Sequence, residues 1–154
     1  MEYTYGGICF RLHQFDCDAM WNSPALRECA GDARVHPMNL IQIYQCFCDE
    51  TRLRIINLLS QGSLCVCHFQ ELLQQPQVRI SKHLAYLKAK GLVECVRHQN
   101  WMVYSLPMRP GRELDANLRC LQDCASTNPL FKEDLRRRRR MQTQLAWLDE
   151  VEGC

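Results

Sequence analysis

Two cysteines, Cys65 and Cys67, lie two positions apart in the run Ser63-Leu64-Cys65-Val66-Cys67-His68-Phe69. Thiolate sulfur is a soft ligand, so a closely spaced pair favours a thiophilic ion. In a regular helix, side chains i and i+2 point about 200° apart. The two thiols can therefore share an ion only if the first helical turn unwinds or if the pair lies before the helix starts, because residues i and i+2 of an extended segment face the same way.

A second pair of thiols, Cys120 and Cys124, stands at i and i+4 of a helical pattern, so both share one face. This pair is our first choice for a third sulfur ligand, either from the same chain or from a partner subunit. The alternative is that it lines a core or an interface together with Leu114, Leu118 and Leu121.

The remaining cysteines of the 11 in this 154-residue chain have weaker patterns. Cys9, Cys17 and Cys29 could fold over from the N-terminal region as ligands. Packing as small apolar residues is the better interpretation for Cys46, Cys48 and Cys95, and Cys154 is a tail thiol. His68 could be a ligand, although a capping or surface role is commoner for a histidine there.

Composition limits the class of protein. A chain with 47% hydrophobic and 23% charged residues has an ordinary globular balance. The N-terminus lacks the basic and apolar regions of a secretory signal, and no apolar run approaches the ~20 residues that span a bilayer. We therefore expect a cytoplasmic protein with no membrane partner, in which disulfide scaffolding is the least favoured use of the cysteines.

The chain divides into three parts by pattern. Residues 1–37 have no sustained period, which predicts a weakly structured extension, and translation starting at Met38 is an alternative hypothesis. Residues 38–126 hold the regular pattern of one domain. Residues 127–154 predict a helical tail around the arginine run 136–140, which is either a solvated helix face or a contact with phosphates.

Four helices, a hairpin and then a fifth helix are predicted in the central part. Asp49 is placed as the N-cap of the second helix, and Gly62 and Gly91 mark helix ends. The third helix starts around Cys65, and the fourth runs from about Gln77 to Lys90. The apolar positions at helical spacing are Leu40, Ile43, Tyr44, Phe47, Leu53, Ile56, Leu59, Phe69, Leu72, Leu73, Ile80, Leu84 and Leu87. Strand-like runs at 93–97 and 101–106 follow, and helical spacing resumes over 113–125 and 130–151.

This order of elements predicts a mainly α fold with a small β-hairpin wing, that is, a winged helix-turn-helix. With Ile80, Leu84 and Leu87 facing the core, the outer side of the fourth helix carries polar and basic residues. We predict contact with double-stranded DNA through six residues: Gln77, Arg79, Ser81 and Lys82 on the helix, and His98 and Asn100 at the tip of the wing.

The residues also carry a family resemblance. The run 48–55 with Asp49-Glu50-Thr51-Arg52, then Cys65-Val66-Cys67, then Ser81-Lys82-His83-Leu84, resembles the ArsR/SmtB family of metal- and arsenic-responsive repressors. The resemblance covers about residues 38–107. It implies a homodimer, paired through its first and last helices, that binds a palindromic operator and is released by an inducer.

Trivalent arsenic, as arsenite, is the inducer that fits this resemblance, and antimonite, Sb(III), is an alternative of the same chemistry. As(III) forms a pyramidal three-sulfur site, but the position where arsenic-binding members place a third cysteine holds Gln70. Cd(II), Pb(II) and Zn(II) remain alternative inducers.

Two other classes of function are weighed against a metal-responsive repressor. Cys65 and Cys67 could form a thiol redox switch that closes and opens with an oxidant. An enzyme is disfavoured, because the chain has no phosphate-binding loop, nucleophile elbow or His-Glu-x-x-His pattern.

Overall fold

The computed structural model describes residues 39–141 and residue 145. The predicted extension 1–37 and most of the tail after residue 141 lie outside these residues. The elements, in chain order, are α1 Leu40–Phe47, α2 Glu50–Leu59, β1 Leu64–Cys65, α3 Val66–Leu73, α4 Gln77–Ala89, β2 Glu94–His98, β3 Trp101–Ser105, α5 Arg112–Ala125 and α6 Pro129–Arg140. The predicted mainly α fold with a β-hairpin wing is confirmed. No helix in the described part is long and apolar enough to cross a bilayer.

The start of α2 is fixed by the side chains of the Asp-x-Thr-Arg run. Asp49 caps the helix by accepting a hydrogen bond from the backbone N–H of Arg52 at 2.9 Å, as predicted. The Arg52 guanidinium donates to the backbone carbonyls of Cys46 (2.9 Å) and Gln45 (2.8 Å) and lies 4.6 Å from the ring centre of Tyr86. Arg52 therefore joins the end of α1 to α4.

The core forms where α2, α3, α4, the sheet and α5 meet. The predicted stripe of α4 is correct, since Ile80, Leu84 and Leu87 are fully buried. The stripe predicted for α1 is wrong in part: Ile43 is buried, but Leu40 and Tyr44 are 47% and 52% exposed. The reason is that α1 packs mainly on α2 and α5, which leaves the side that carries Leu40, Ile41 and Tyr44 largely exposed in the single chain.

A strand that the sequence did not predict, β1, extends the hairpin to a three-stranded antiparallel sheet in the order β1-β3-β2. Leu64 pairs with Tyr104, and Cys65 pairs with Val103. The hairpin itself is confirmed, with strand bounds shifted by about one residue and a turn in which Gln99 adopts a φ of +52°. Two residues are too few for period-2 alternation to be visible in a sequence.

The last helix, α6, packs on α2 and α3. Its Asp134 is 1% exposed and accepts two hydrogen bonds of 2.7 Å from Arg54 of α2. Two members of the arginine run also point inward: Arg137 donates to the carbonyl of Leu72 (3.1 Å), and Arg138 donates to that of Gln61 (2.7 Å). The predicted solvated face therefore holds for Arg136, Arg139 and Arg140, which are exposed. It is wrong for Arg137 and Arg138, because their guanidinium groups satisfy carbonyls near the ends of α2 and α3.

Candidate functional site

Cys65 occupies the junction between β1 and α3. Its backbone is extended (φ −94°, ψ 168°), so it is the N-cap of α3 rather than a residue of its first turn. Cys67 lies one residue inside the helix. The predicted obstacle, two side chains on opposite sides of a helix, does not arise, because only Cys67 has helical geometry. The two thiols come together without any unwinding of α3.

The side chain of His68 completes this junction. Its Nδ1 atom lies 3.2 Å from the sulfur of Cys65 and accepts a 3.4 Å hydrogen bond from the backbone N–H of Cys65. The sulfur of Cys65 in turn accepts from the backbone N–H of His68, so the two residues form a reciprocal capping box. The capping role that the sequence favoured for His68 is thus present, and the same geometry brings its imidazole to the thiols.

The environment separates the ionisation of the two thiols. A hydrogen bond from the Cys67 thiol, aided by His68, lowers the pKa of Cys65 although burial opposes it. The same hydrogen bond, together with burial and repulsion from Cys65, raises the pKa of Cys67. The pair therefore loses its first proton easily and its second with difficulty, and a cation bound between the sulfurs would favour loss of both.

The described residues contain one group of three or more potential metal ligands, made of Cys65, Cys67 and His68. Its donor atoms all lie within 4.8 Å of one another. Cys65 is 1% exposed, whereas Cys67 reaches the surface. Two sulfurs and one imidazole nitrogen form a donor set that suits a thiophilic or borderline ion, so the residues fit the kind of group that the sequence predicted.

Cys120 and Cys124, the predicted source of a third sulfur, lie on α5 with both side chains exposed. Their thiols contact each other, and repulsion and hydrogen bonding from Cys120 raise the pKa of Cys124. They are not part of the group formed by Cys65, Cys67 and His68 within one chain. A ligand from α5 of a second copy stays a prediction.

The thiol junction is attached to both parts of the predicted DNA-binding surface. Through β1, the backbone of Cys65 pairs with Val103 in a strand of the wing. Through α3, the same residue begins the helix that packs against α4. A displacement of Cys65 would therefore act on the wing and on the fourth helix at once.

The predicted DNA-contacting residues lie on α4 and the wing. Arg79, Lys82 and Asn100 are exposed, and Gln77, Ser81 and His98 are half-buried. The α4 residues lie in the first two turns, where a recognition helix presents its side chains to base edges. The placement is consistent with the predicted surface, and the DNA contacts themselves stay predictions.

Val78 is a candidate contact that the sequence argument missed. It is 56% exposed in the first turn of α4, next to Arg79. An exposed apolar side chain there can pack against a thymine methyl group in the major groove. The signal was present in the sequence, because a core stripe at Ile80, Leu84 and Leu87 leaves position 78 on the outer side.

A short helix, a recognition helix and a two-stranded wing define this chain as a winged helix-turn-helix DNA-binding protein. The family model described as "Bacterial regulatory protein, arsR family" matches residues 49–94. The "Arsenical resistance operon repressor" of Escherichia coli (strain K12) is 40% identical over 88 residues, which cover 54% of this chain and 75% of that protein. The chain belongs to the ArsR family of transcriptional regulators.

Two further relatives are consistent with this assignment. The "Cadmium resistance transcriptional regulatory protein CadC homolog" of Staphylococcus aureus is 31% identical over 75 residues, covering 48% of this chain and 62% of that protein. The solved structure of HlyU from Vibrio cholerae N16961 superposes with a TM-score of 0.50 at 26% identity, covering 55% of this chain and 88% of that one.

Proposed function

We propose that this protein is a transcriptional repressor that leaves its operator DNA when trivalent arsenic binds the thiols of Cys65 and Cys67. The observation that carries the proposal is the meeting of both thiols at the junction of β1 and α3. The Escherichia coli relative, whose name assigns it to arsenical resistance, supports arsenic as the inducer.

The chemistry is an exchange of oxygen for sulfur on arsenic. Arsenous acid, As(OH)₃, loses two hydroxyl groups as water while the two thiol protons are consumed, and two As–S bonds form without any change of oxidation state. A third thiol would replace the last hydroxyl group in the same way. We assign that role to Cys120 or Cys124 of a second copy, and Sb(III) would react by the same exchange.

Arsenic binding at Cys65 would lower the affinity for DNA, because this residue both caps α3 and pairs with a strand of the wing. An As–S bond takes the sulfur that now accepts the backbone N–H of His68, so the first turn of α3 loses its cap. The pairing of Cys65 with Val103 carries the same displacement to the wing. The inducer would therefore favour a conformation in which α4 and the wing no longer fit the major groove together.

The operator surface in this proposal consists of α4 and the tip of the wing. Arg79 and Lys82 would bind phosphates or guanine, Gln77 and Ser81 would read base edges, and His98 and Asn100 would contact the flanking backbone. We also propose a homodimer, since the exposed apolar side chains of α1, Leu40, Ile41 and Tyr44, need a cover that the described chain does not give.

Release of labelled operator DNA, followed by fluorescence anisotropy during titration with arsenite, tests the proposal. We expect the Cys65→Ser and Cys67→Ser variants to bind DNA normally and to lose the arsenite response. Cys48→Ser, which removes an exposed thiol outside the junction, is the matched control and should respond like the parent. A normal arsenite response in Cys65→Ser would overturn the assignment.

Parallel titrations separate the proposed inducer from its rivals. Release by Cd(II), Pb(II) or Zn(II) but not by arsenite would make the protein a sensor of divalent metals. Release by peroxide in the absence of any metal, reversed by a thiol reductant, would instead establish the redox switch.

A further inference from the structure

We propose that Arg136 and Arg140 of α6 bind DNA phosphates beside α3, so that the last helix widens the DNA-contacting surface beyond α4 and the wing. This inference rests on the proposed operator surface and extends it to an element outside residues 49–94, which the family model matches. It involves neither the thiols nor their inducer.

The helix α6 is attached to the helix-turn-helix at defined points. Asp134 accepts two hydrogen bonds from Arg54 of α2, and Arg137 donates to the carbonyl of Leu72 in the last turn of α3. A short turn then joins α3 to α4. The C-terminal half of α6 therefore lies beside the helix that precedes the recognition helix, close to the turn between the two.

Two more arginines share the flank of α6 from which Arg137 reaches α3. At about 100° per residue, Arg140 and Arg136 point about 60° and about 100° from Arg137, on the side away from the buried Asp134. Both side chains are exposed. They form an exposed basic edge that borders α3. Arg139 points about 160° from Arg137 and so faces away from α3.

The basic edge stays positively charged when the neighbouring carboxylate is included. Glu133 accepts hydrogen bonds from Arg136 (2.8 Å) and from Arg137 (3.3 Å), so one carboxylate is shared by two guanidinium groups. Arg140 adds a third positive charge one turn further along α6. Exposed ion pairs contribute little to stability, so Arg136 can exchange Glu133 for a phosphate without weakening the fold.

The sequence of α3 explains why DNA would need cations from another helix. In a helix-turn-helix the first helix crosses the DNA backbone while the second enters the major groove. Here α3 is the first helix, yet its eight residues VCHFQELL include no lysine or arginine, and the exposed Glu71 is acidic. The basic edge of α6 supplies the missing charge, because guanidinium groups form strong, often bidentate, hydrogen bonds with phosphate oxygens.

The salt dependence of DNA affinity measures how many phosphates the protein neutralises. Each one contributes about 0.9 to the slope of log K against log salt concentration. Fluorescence anisotropy of the full-length chain with a labelled mixed-sequence duplex, from about 50 to about 200 mM KCl, gives this slope. We expect the double variant Arg136→Gln with Arg140→Gln to lose about 2 from the magnitude of the slope and about tenfold in affinity at the lower salt concentration.

Two controls isolate the position and the charge of these side chains. Arg139→Gln removes a charge from the same arginine run on the side away from α3, and it should keep the parental slope. Arg136→Lys with Arg140→Lys keeps both charges and should retain most of the slope, since the salt term depends on charge. Urea denaturation should give the double glutamine variant the parental unfolding midpoint, because both replaced side chains are exposed.

A parental slope in the double glutamine variant would overturn the proposal and leave the basic edge as a solvated surface. An equal loss of slope in Arg139→Gln would also overturn it, since the effect would then be a diffuse attraction of the whole run. Arg79→Gln in α4 separates this inference from the proposed operator surface. A loss of slope in Arg79→Gln alone would remove only α6 from that surface, whereas no loss in either variant would count against both proposals.

Discussion

At the scale of single residues, Cys65 and Cys67 can act as a pair because the backbone passes from extended to helical between them. Cys65 is extended and Cys67 is helical, which brings side chains two positions apart to one place. The capping box with His68 holds that arrangement in the absence of an ion. The site is therefore preorganised. The loss of conformational entropy that accompanies bringing the two thiols together has already occurred on folding and does not reduce the binding affinity.

Gln70 offers a gain-of-function prediction at the same scale. Position 70 lies three residues after Cys67 on α3, so a cysteine there would share its face. We expect Gln70→Cys to bind As(III) at least about tenfold more tightly, or about 1.4 kcal/mol, because the third sulfur becomes local. Isothermal titration against Gln70→Ser, the control without sulfur, measures the difference. Equal affinities would mean that another thiol already completes the arsenic site.

His83 provides a pH prediction. Burial lowers the pKa of this imidazole, Arg52 and Arg79 act in the same direction, and Asp49 at 3.6 Å opposes them. The pKa of His83 in the folded chain is therefore below the unfolded value of about 6.5. As the pH falls through that range, the unfolded chain binds a proton at His83 more readily than the folded chain does. The contribution of His83 to stability is thus retained above about pH 6.5 and is lost on acidification. Urea unfolding at pH 7 and pH 5 should show a smaller loss for His83→Gln than for the parent.

A variant that leaves His83 in place supplies the control for this experiment. Gln70→Ala, at an exposed position of α3, changes no titratable group and should keep the parental pH dependence. If the free energy of unfolding of His83→Gln fell between pH 7 and pH 5 by as much as that of the parent, burial of His83 would not be the cause of the acid sensitivity.

At the scale of elements, α6 is fixed to the domain by a buried ion pair. Arg54 and Asp134 are both nearly inaccessible, and Asp134 raises the pKa of Arg54 by hydrogen bonding. Two further hydrogen bonds of α6 hold the segment that runs from β1 through α3. Arg138 donates to the carbonyl of Gln61, just before β1, and Arg137 donates to the carbonyl of Leu72, near the end of α3. The tail helix therefore supports the part of the chain that carries the thiols.

Removing one partner of the buried pair should be costly. We expect Asp134→Asn to lower the free energy of unfolding by about 3–5 kcal/mol, because Arg54 is left buried without a counter-charge. Asp115→Asn is the matched control: its ion pair with Arg119 is exposed, so a change of less than about 1 kcal/mol is expected. Urea denaturation gives both values. Similar losses for the two variants would show that the buried ion pair stabilises the fold no more than the exposed one.

The sequence predicted the elements whose signals are local, and it missed those that depend on distant partners. The stripe of α4, the Asp49 cap and the hairpin were readable because each rests on spacing within a few residues. The Arg54–Asp134 pair joins residues 80 positions apart, and β1 exists only because Tyr104 and Val103 lie beside it. His68 was named as a candidate ligand, but its close approach to the thiols could not be predicted, since the extended geometry of Cys65 follows from that strand pairing.

At the scale of the whole molecule, the exposed apolar side of α1 predicts self-association. Ile41 is 69% exposed and Tyr44 is 52% exposed, on a helix whose other side is packed. We expect Ile41→Glu to weaken a homodimer at least about tenfold, because a carboxylate would have to be desolvated in the interface.

Sedimentation equilibrium measures the association of this variant. Gln42→Glu adds the same charge to the same helix and keeps a residue suited to the capping box with Asn39, so it should associate like the parent. A monomeric parent at micromolar concentration, or equal association of Ile41→Glu and the parent, would rule out an interface through α1.

The double role of Cys65 has a consequence for the sharpness of regulation. One backbone position ends the strand that is paired to the wing and starts the helix that braces α4. The two DNA-reading parts thus share a common anchor point, and neither can be repositioned while the other keeps its register. We expect states in which only α4 or only the wing still contacts DNA to be rare. Each protomer should therefore dissociate from its half of the operator in one concerted step.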